Sequence, residues 1–384
     1  MPTRIYLDNS ATTPTAKEVL DAMAPYYAAE YGNASSLHSF GRAARTAIER
    51  ARATVADFLR VSPREIVFTS GATEADNLAI LGTAFASSDR KHIITSTLEH
   101  HAVLHSVGWL ESRGYEITRV PVDSTGRVDP AQVRDAIRPD TLLVSIMAGN
   151  NEIGTLQPID ELGAACRERG TMFHTDAVQA YGKVELPMGT IDMLSVSAHK
   201  LHGPKGVGFL FVRKGVKLAP LLHGGGHEGG RRSGTENVPG IVGLGAASDL
   251  AFSERPETTA RMTAFRSRLI EEISKIPGTR LNGHSTLSLP HIVNFSFAAI
   301  EGESLIMKLD EHGIAASTGS ACSSPDLEAS HVLLAIGVPL SMAHGSLRVS
   351  TGRQTTEQEI EAFLRVLPEV VGELRAMSPF KVGE

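Results

Sequence analysis

Apolar residues along the first two-thirds of the chain follow two alternating spacings. Short apolar runs, typical of buried strands, are separated by longer segments in which apolar residues recur every three or four positions, as on one face of a helix. The predicted strands are 65–70, 91–96, 141–149, 171–178, 192–200 and 206–213, and the predicted helices are 41–60, 73–85, 102–114 and 158–169. Strands that alternate with helices indicate βαβ units and a mainly parallel sheet, which binds its ligands at the carboxyl ends of the strands.

The pattern changes in the last third of the chain. A glycine-rich stretch at 220–240 is followed by a long helical segment at 257–276, strand-like runs at 291–297 and 346–352, and a helix near 302–312. A length of 384 residues fits two domains better than one. We therefore predict an α/β fold with a large domain of residues 15–254 and a smaller α+β domain made of residues 1–14 and 255–384.

Composition and charge exclude several classes of protein. The balance of 37 basic and 43 acidic residues gives a net charge of −6, which argues against a general nucleic-acid binder or a membrane-surface binder. Cys166 and Cys322 are the two cysteines, so the chain has no disulfide framework and a reducing compartment is expected. The sequence begins without an apolar signal core and has no run of about eighteen apolar residues. We expect a cytoplasmic protein.

Lys200 and Asp176 each end an apolar predicted strand. A lysine amine in an apolar setting loses its proton easily and can form a Schiff base, although a surface lysine leaving the strand would explain this segment equally well. A buried aspartate needs a cationic or hydrogen-bonding partner, and a helix N-cap is the ordinary explanation for Asp176. A protonated pyridine nitrogen is another such partner, as in pyridoxal phosphate sites. Together, the two residues favour the cofactor.

Residues 70–74, Ser-Gly-Ala-Thr-Glu, join a predicted strand to a helix. Thr73 and Asp76 form a possible capping box, and free amides at a helix N-terminus bind phosphate well. An ordinary helix cap is the simpler interpretation of the segment taken alone. Neither this segment nor residues 203–208 have the glycine, lysine and serine spacing of a Walker loop.

Cys322 lies in a run of small polar residues at 317–324, whereas Cys166 lies on an apolar helix face. An exposed thiol in a loop can ionise and react, while a core thiol is inert. A loop cysteine without a role is the alternative for Cys322. We interpret Cys166 as a core residue.

The histidines raise the possibility of zinc, but the pattern does not favour a metal site. His223 and His227 have the spacing of helical metal ligands, yet the three glycines between them are incompatible with a stable helix. His100 follows a predicted strand and could instead stack on a planar cofactor ring.

Arg348 alternates with Leu347 and Val349 on a predicted strand. The two apolar residues would face the core, which places Arg348 on the opposite side. A guanidinium binds carboxylates through two hydrogen bonds, and an amino-acid substrate offers a carboxylate. An exposed strand arginine explains the pattern equally well.

Taken together, the motifs resemble the cysteine desulfurases of the NifS/IscS type, a branch of the fold-type-I pyridoxal phosphate enzymes. The resemblance runs nearly from end to end and includes YLDNSATTP, FHTDAVQAYGK, SAHKLHGPKGVG, HGGGHEGGRRSGTEN and GSACSS. It implies that L-cysteine is converted to L-alanine and that the sulfur passes, as a persulfide, to an acceptor. It also implies pyridoxal 5'-phosphate as cofactor and a homodimer with a shared active site.

The resemblance implies roles for five residues at the reacting centre. Lys200 would bind the cofactor covalently and act as a base at the substrate α-carbon. Asp176 would pair with the pyridinium nitrogen, Gln179 would bond the ring hydroxyl oxygen, and His100 would stack on the ring and move protons. Cys322 would accept the sulfur.

The remaining implied residues bind the cofactor phosphate or the substrate. The phosphate group would be bound by Ala72, Thr73, Ser197 and His199, with Ala198 beside them and Thr235 reaching the phosphate of the partner subunit. The carboxylate side of the substrate would be bound by Asn33, Asn151 and Arg348, with Asn151 also beside the cofactor. No metal is expected.

Some features depart from the family pattern, and other functions stay open. The segment GNASS lacks the proline of the family's GNPS, and the residues after Cys322 resemble the branch with the longer loop. Longer relatives continue into a tail that docks an iron–sulfur scaffold, which puts scaffold docking in doubt here. A selenocysteine lyase, a related lyase or transaminase, and a non-catalytic sulfur carrier or scaffold partner are the alternatives. The acceptor pathway, iron–sulfur cluster assembly or tRNA thiolation, is not specified by the sequence.

Overall fold

The computed structural model describes residues 4–319 and 329–381. Its strands are β1 (Ile5–Tyr6), β2 (Ile66–Thr69), β3 (His92–Ser96), β4 (Glu116–Val120), β5 (Thr141–Ser145), β6 (Met172–Asp176), β7 (Met193–Ser197), β8 (Gly208–Val212), β9 (Thr279–Asn282), β10 (Ile292–Phe297), β11 (Ile314–Ala315) and β12 (Ser346–Ser350). Its α-helices are α1 (Lys17–Met23), α2 (Pro25–Ala28), α3 (Ser39–Leu59), α4 (Ala72–Ala86), α5 (His101–Glu111), α6 (Pro130–Ala136), α7 (Ile159–Glu168), α8 (Val238–Ser253), α9 (Arg255–Ile273), α10 (Gly302–Glu311), α11 (His331–Ala335), α12 (Leu340–Ala343) and α13 (Glu357–Met377).

Seven strands form the large sheet, in the order β2-β8-β7-β6-β5-β3-β4. The strands from β7 to β4 pair in parallel, and β8 is antiparallel to both β7 and β2. This arrangement confirms the predicted α/β fold with a mainly parallel sheet. Because two antiparallel pairings restore the original direction, β2 runs the same way as β7, and their carboxyl ends lie at one edge.

Helices cover both faces of this sheet, as the uninterrupted apolar character of its strands requires. Side chains alternate between the faces along β8, where Phe209 and Phe211 join the hydrophobic cluster under α3 and α8, and Leu210 and Val212 join the cluster under α4 and α5. In the parts of the chain that the structure describes, no helix is long and apolar enough to cross a bilayer.

The second sheet is antiparallel, with the strand order β12-β10-β9. Its core includes α10 and α13, and Ile5 and Leu7 from the start of the chain belong to the same hydrophobic cluster. This packing agrees with grouping residues 1–14 with residues 255–384. The domain boundaries themselves stay a prediction.

The connections that leave the carboxyl ends of β2, β3, β5, β6 and β7 are the part of the fold that concerns function. All five strands point the same way, so the residues that follow them meet at one edge of the sheet. Ligands bind at this edge in open α/β sheets.

Candidate active site

A large cavity, of about 1080 Å³, opens at this edge of the sheet. It is lined by ten of the predicted site residues, which come from separate strand ends and from β12. These residues are Ala72, Thr73, His100, Asn151, Asp176, Gln179, Ser197, His199, Lys200 and Arg348.

Lys200 lies in a 3₁₀ turn, Ala198–Lys200, directly after β7. The predicted strand 192–200 therefore ended three residues too late, because the strand stops at Ser197. The ammonium nitrogen Nζ donates to the carbonyl oxygens of Ser10 at 2.5 Å and Ala11 at 2.7 Å. The N-terminal segment thus holds the lysine side chain at the wall of the cavity.

Asp176 is the last residue of β6, and its carboxylate is buried at the cavity. Burial raises the pKa of this carboxyl group to about 6, against the opposing effects of a hydrogen bond from the Val178 amide and of the Lys200 charge. The amide of Val178 donates to Oδ1 at 2.9 Å. A buried carboxylate of this kind is stabilised by a cationic ligand.

Gln179 follows one turn later and is also buried. Its amide nitrogen Nε2 donates to the carbonyl oxygen of Ser10 at 3.0 Å, and its oxygen Oε1 lies 3.2 Å from Nε2 of His291. The Ser10 carbonyl therefore accepts hydrogen bonds from both Lys200 and Gln179. Sequence reasoning quoted the segment 6–14 as a motif but gave Ser10 no role.

The N-terminus of α4 forms another wall of the cavity. Gly71 is the N-cap residue, at φ +152°, a backbone conformation that favours glycine, and no side chain of the described residues caps the helix from this position. The first amides of α4 therefore face the cavity next to Ser197 and His199, as a phosphate group requires.

The predicted capping box of Thr73 and Asp76 is wrong. The helix begins at Ala72, which makes Thr73 an internal residue, and Asp76 is buried 3.6 Å from Nε2 of His174. Glu74 instead accepts from the Ser70 amide at 2.8 Å and pairs with Arg232 at 2.9 Å. Burial and the nearby Asp176 carboxylate raise the pKa of Asp76 well above its usual range.

His100 is the N-cap residue of α5, and its Nδ1 accepts from the Ala102 amide at 3.1 Å. Because Nδ1 accepts, a neutral ring carries its proton on Nε2. Burial, followed by the Lys200 charge, lowers the pKa of His100 to about 4. The ring is therefore uncharged near neutral pH, which suits stacking on a planar group.

Three more histidines, His101, His105 and His331, line the cavity, and sequence reasoning assigned none of them to the site. The His101 ring centroid lies 5.1 Å from that of His105 and 5.2 Å from that of His331. The i, i+4 spacing on α5 signals the first pair, whereas His331 comes from a distant helix and leaves no local signal.

Arg348 lies in the middle of β12, and its guanidinium is buried at the cavity, opposite the core-facing Leu347 and Val349. Nη2 pairs with Oδ1 of Asp8 at 2.8 Å, and Nη1 donates to the carbonyl oxygen of Asn151 at 2.9 Å. The predicted orientation of this strand is confirmed. Asp8 is a second site residue that sequence reasoning left without a role.

Three predicted site residues in the described part of the chain do not line the cavity. Ala198 is fully buried and donates its amide to the Val207 carbonyl at 3.1 Å. Asn33 and Thr235 are exposed, and their chain neighbours Ala34, Ser35 and Glu236 line a separate cleft of about 740 Å³. Cys322 lies outside the described residues.

The second cysteine, Cys166, is fully buried, and burial raises the pKa of its thiol to about 12. The interpretation of Cys166 as a core residue is therefore confirmed. A thiol of this kind is inert at neutral pH.

The cavity residues fit pyridoxal phosphate. A buried carboxylate, a lysine amine, an uncharged imidazole and the free amides of a helix N-terminus line one space. The family model that matches the chain, Aminotransferase class-V, covers residues 5–363. Enzymes of this family depend on pyridoxal phosphate, so the cofactor and the fold follow from the same finding.

Known proteins narrow the family further. The chain is 55% identical over 383 residues to cysteine desulfurase IscS of Methanosarcina thermophila, covering 99% of this chain and 95% of the other. It is 50% identical over 385 residues to cysteine desulfurase IscS of Dictyoglomus turgidum, with coverage of 99% and 98%. The chain therefore belongs to the cysteine desulfurases of the aminotransferase class-V family.

Solved structures agree with this membership. A NifS-like protein superposes with a TM-score of 0.91 at 40% identity, covering 97% of this chain and all of the other. SspA in complex with cysteine superposes with a TM-score of 0.81, also at 40% identity, with coverage of 91% and 98%. The resemblance identified from the sequence motifs is confirmed.

Proposed function

We propose that this cysteine desulfurase converts L-cysteine to L-alanine in the cavity at the strand ends and transfers the sulfur to Cys322. The proposal rests on the observation that Lys200 and Asp176 line the same cavity. Bound there, pyridoxal phosphate supplies an electron sink for the charge that develops at the substrate α-carbon. The chain's own residues bind the substrate, orient it and move its protons.

Lys200 is the residue that attaches the cofactor and takes the α-proton. Its amine is held by two backbone carbonyls, and Asp176 provides the negative charge that stabilises a protonated ring nitrogen. His100 provides a neutral ring whose Nε2 carries the proton that it can donate. Arg348 and Asn151 stand on the side of the cavity where the substrate carboxylate binds.

The sulfur transfer is balanced in atoms and electrons. The Cys322 thiolate attacks the substrate sulfur, an S–S bond forms, and the C–S bond breaks with its electron pair left on the substrate β-carbon. After protonation, L-cysteine and the Cys322 thiol have become L-alanine and a Cys322 persulfide. Gly319 is the last described residue before Cys322, and it lines the cavity. Its location supports Cys322 as the sulfur acceptor.

We also propose a homodimer in which Asn33 and Thr235 complete the partner's active site. Both residues are exposed and lie away from the cavity of their own chain, which supports a role in the other subunit. Tyr27, Tyr31 and Leu37, on the segment before α3, are 66%, 67% and 90% exposed, more apolar surface than a monomer usually leaves in one short stretch.

Mixed dimers test this arrangement. Lys200→Ala and Thr235→Ala chains should each be weakly active alone, because each site then lacks one residue. Mixing them should restore up to about a quarter of the wild-type activity, since only one of the two sites in a mixed dimer is intact. A monomer by light scattering, or no recovery on mixing, contradicts the homodimer.

The downstream acceptor is an iron–sulfur scaffold or a protein of tRNA thiolation, and the enzyme acts in the cytoplasm. Two relatives carry the name IscS, which supports the iron–sulfur acceptor. A chain with two cysteines, one of them an acceptor thiol that must stay reduced, suits a reducing compartment.

The decisive experiment measures alanine and sulfide released from L-cysteine. Wild-type protein with bound cofactor should produce both in equal amounts in the presence of a thiol reductant. Cys322→Ala should lose sulfide release and persulfide formation, whereas Cys166→Ala, the matched control on a buried thiol, should keep both. A Cys322→Ala protein with full sulfide release contradicts the acceptor role, and a wild-type protein that binds no pyridoxal phosphate contradicts the whole proposal.

A further inference from the structure

Three hydrogen bonds in series connect Lys200 to His291, a residue that does not line the active-site cavity. Lys200 Nζ and Gln179 Nε2 both donate to the Ser10 carbonyl, at 2.5 and 3.0 Å, and Gln179 Oε1 lies 3.2 Å from His291 Nε2. His291 directly precedes β10 and lines a small cavity of about 40 Å³ behind Lys200. Strand β10 is part of the second sheet, whereas Gln179 lies three residues after β6 of the first sheet.

The Ser10 carbonyl determines the orientation of the side-chain amide of Gln179. A carbonyl oxygen accepts hydrogen bonds, so it faces the amide nitrogen and not the amide oxygen. The amide oxygen then points to His291, and Nε2 of His291 must donate to it. The second hydrogen of the Gln179 nitrogen remains for the active-site cavity, which Gln179 lines.

His291 has the protonation state that this arrangement needs. It is 2% exposed, and burial together with the charges of Lys183, Arg348 and Lys200 lowers its pKa well below the usual range. A neutral imidazole has one N–H, and the bond to Gln179 places it on Nε2. Among the described residues, Nδ1 has no hydrogen-bond partner.

The surroundings of the small cavity keep the ring neutral. Besides Lys183 and Lys200, its titratable lining residues are Tyr181, His202, Glu254 and Arg353. Glu254 is paired with Arg353 at 2.6 Å, so its charge is compensated. Lys183 Nζ donates to the Lys200 carbonyl at 3.0 Å. Burial, followed by the Lys200 charge, lowers the pKa of Lys183 to about 7, so Lys183 contributes its positive charge mainly below this pH.

We propose that His291 is a positioning residue, which holds the Gln179 amide so that its nitrogen faces the ring hydroxyl oxygen of the bound cofactor. The inference rests on the proposed function, because it requires pyridoxal phosphate in this cavity. Without the donor on His291, the Ser10 carbonyl alone opposes rotation of the amide, and a rotated amide would present its oxygen to the cavity. A donor to the ring oxygen would then become a repulsive acceptor.

The test compares His291→Met with His291→Gln. The two side chains have nearly the same shape, but only glutamine offers an N–H at the position of Nε2. The measured quantity is the pH midpoint of the change in visible absorbance of the bound cofactor. At this midpoint, the nitrogen that joins the cofactor to Lys200 loses its proton. A donor to the ring oxygen stabilises the negative charge of that oxygen most after this proton is lost. We expect His291→Met to raise this midpoint by about 0.5–1 pH unit, the effect of losing one hydrogen bond, and His291→Gln to restore it.

A double-mutant cycle shows whether the effect passes through Gln179. Gln179→Leu should raise the midpoint by a similar amount, and His291→Met should add nothing in that background. A purely structural role for His291 would lower the thermal midpoint of both His291 variants and leave the absorbance midpoint unchanged, which overturns the inference. So does an additive double mutant.

The outcomes separate this inference from the proposed function. If wild-type protein shows no cofactor absorbance, the proposed function fails. If wild-type protein binds the cofactor and Gln179→Leu shifts the midpoint while His291→Met does not, the inference about His291 fails alone. If His291→Met does not fold, His291→Gln still tests the inference. An absorbance midpoint equal to that of wild type supports a hydrogen-bond donor at the position of Nε2, and a shifted midpoint contradicts it.

Discussion

The guanidinium of Arg348 is paired with the carboxylate of Asp8, with Nη2 and Oδ1 2.8 Å apart. The two residues are 340 positions apart in sequence and meet because Asp8 bridges to Ser350 at the end of β12. A buried guanidinium without a counter-charge is costly, and Asp8 offsets that cost. Nε of Arg348 is buried and has no hydrogen-bond partner among the described residues, which leaves a donor for a substrate carboxylate.

Replacing Arg348 by lysine tests this substrate contact. Lysine keeps the charge next to Asp8 but loses the planar set of donors that binds a carboxylate through two hydrogen bonds. We expect KM for L-cysteine to rise by about 10–100-fold, with a smaller change in kcat. Arg353→Lys is the control, because Arg353 pairs with Glu254 outside the active-site cavity. An unchanged KM in Arg348→Lys would contradict the assignment.

Replacing Asp176 by asparagine removes the charge that stabilises the cofactor nitrogen while keeping the acceptor for the Val178 amide. We expect kcat to fall by at least about 100-fold, the cost of one strong electrostatic contact in a buried site. Asp76→Asn, on the neighbouring buried acid of the same cavity, should retain most of the activity. Equal losses of kcat in Asp176→Asn and Asp76→Asn would contradict a special role for Asp176.

The affinity of the wild-type protein for pyridoxal phosphate should also depend on pH, and Asp176→Asn should abolish this dependence. In the cofactor-free chain, burial raises the pKa of Asp176 to about 6, so the carboxyl group takes up a proton as the pH falls through about 6. The neutral acid cannot stabilise a protonated ring nitrogen, and the affinity of the wild-type chain should therefore fall below this pH. In Asp176→Asn, the residue carries no charge at any pH, and this part of the dependence should be absent from the binding titrations.

The residues that could be predicted from the sequence are those whose position follows from local pattern. Asp176 ends an apolar strand, Lys200 follows one, and Leu347 and Val349 alternate with Arg348, so a period of two and the strand-end rule identified these residues as candidates. The contacts of Ser10, Asp8 and His291 could not be predicted, because they join segments more than 100 residues apart in the chain.

Several elements escaped the hydrophobic pattern, and α8, β4 and α13 illustrate three different reasons. Helix α8 is apolar nearly all round because it is buried between neighbouring elements, so it has no polar face to mark its period. Strand β4 lies at the edge of the sheet and carries Glu116 and Arg119 among its five residues. Helix α13 begins with a capping box of Thr356 and Glu359 that the sequence does contain, and this signal was overlooked.

The ion pair between Arg52 and Glu228 should hold the glycine-rich segment that carries Thr235. Nη1 of Arg52 lies 2.7 Å from Oε2 of Glu228, whose side chain is 3% exposed and also accepts from the Phe68 amide at 2.9 Å. Glu228→Gln leaves the buried guanidinium of Arg52 with only the exposed Glu49 as a counter-charge, and we expect a loss of about 3 kcal/mol in stability, seen as a lower thermal midpoint.

The same arginine offers a matched control. Glu49 also pairs with Arg52, at 3.3 Å, but its side chain is 57% exposed. Because exposed pairs contribute little, Glu49→Gln should cost less than about 1 kcal/mol. If both substitutions lower the thermal midpoint equally, burial does not decide the strength of this pair.

Glu99 should make the stability of the protein fall as the pH rises. Its carboxylate is fully buried and accepts hydrogen bonds from the Ser96 hydroxyl at 2.5 Å and from the Met147 amide at 3.0 Å, yet burial raises its pKa to about 8. Between about pH 4.5 and pH 8 the folded chain keeps this proton while the unfolded chain releases it. The folded state then binds more protons, so its stability falls as the pH rises through this range.

Glu99→Gln carries no titrating group and should remove this part of the pH dependence. We expect the thermal midpoint of the variant, relative to wild type, to rise by about 2–5 °C between pH 5.5 and pH 8, which corresponds to roughly 3 kcal/mol. Glu168→Gln, on an exposed glutamate of α7, should show no such trend. Besides the larger effect of burial, Glu99 contributes to the raised pKa of Asp76, and Asp176 contributes to the raised pKa of Glu99, so the difference between variant and wild type reports Glu99 together with its interactions with these two acids. A difference that stays constant from pH 5.5 to pH 8 would mean that Glu99 is ionised in the folded protein throughout this range.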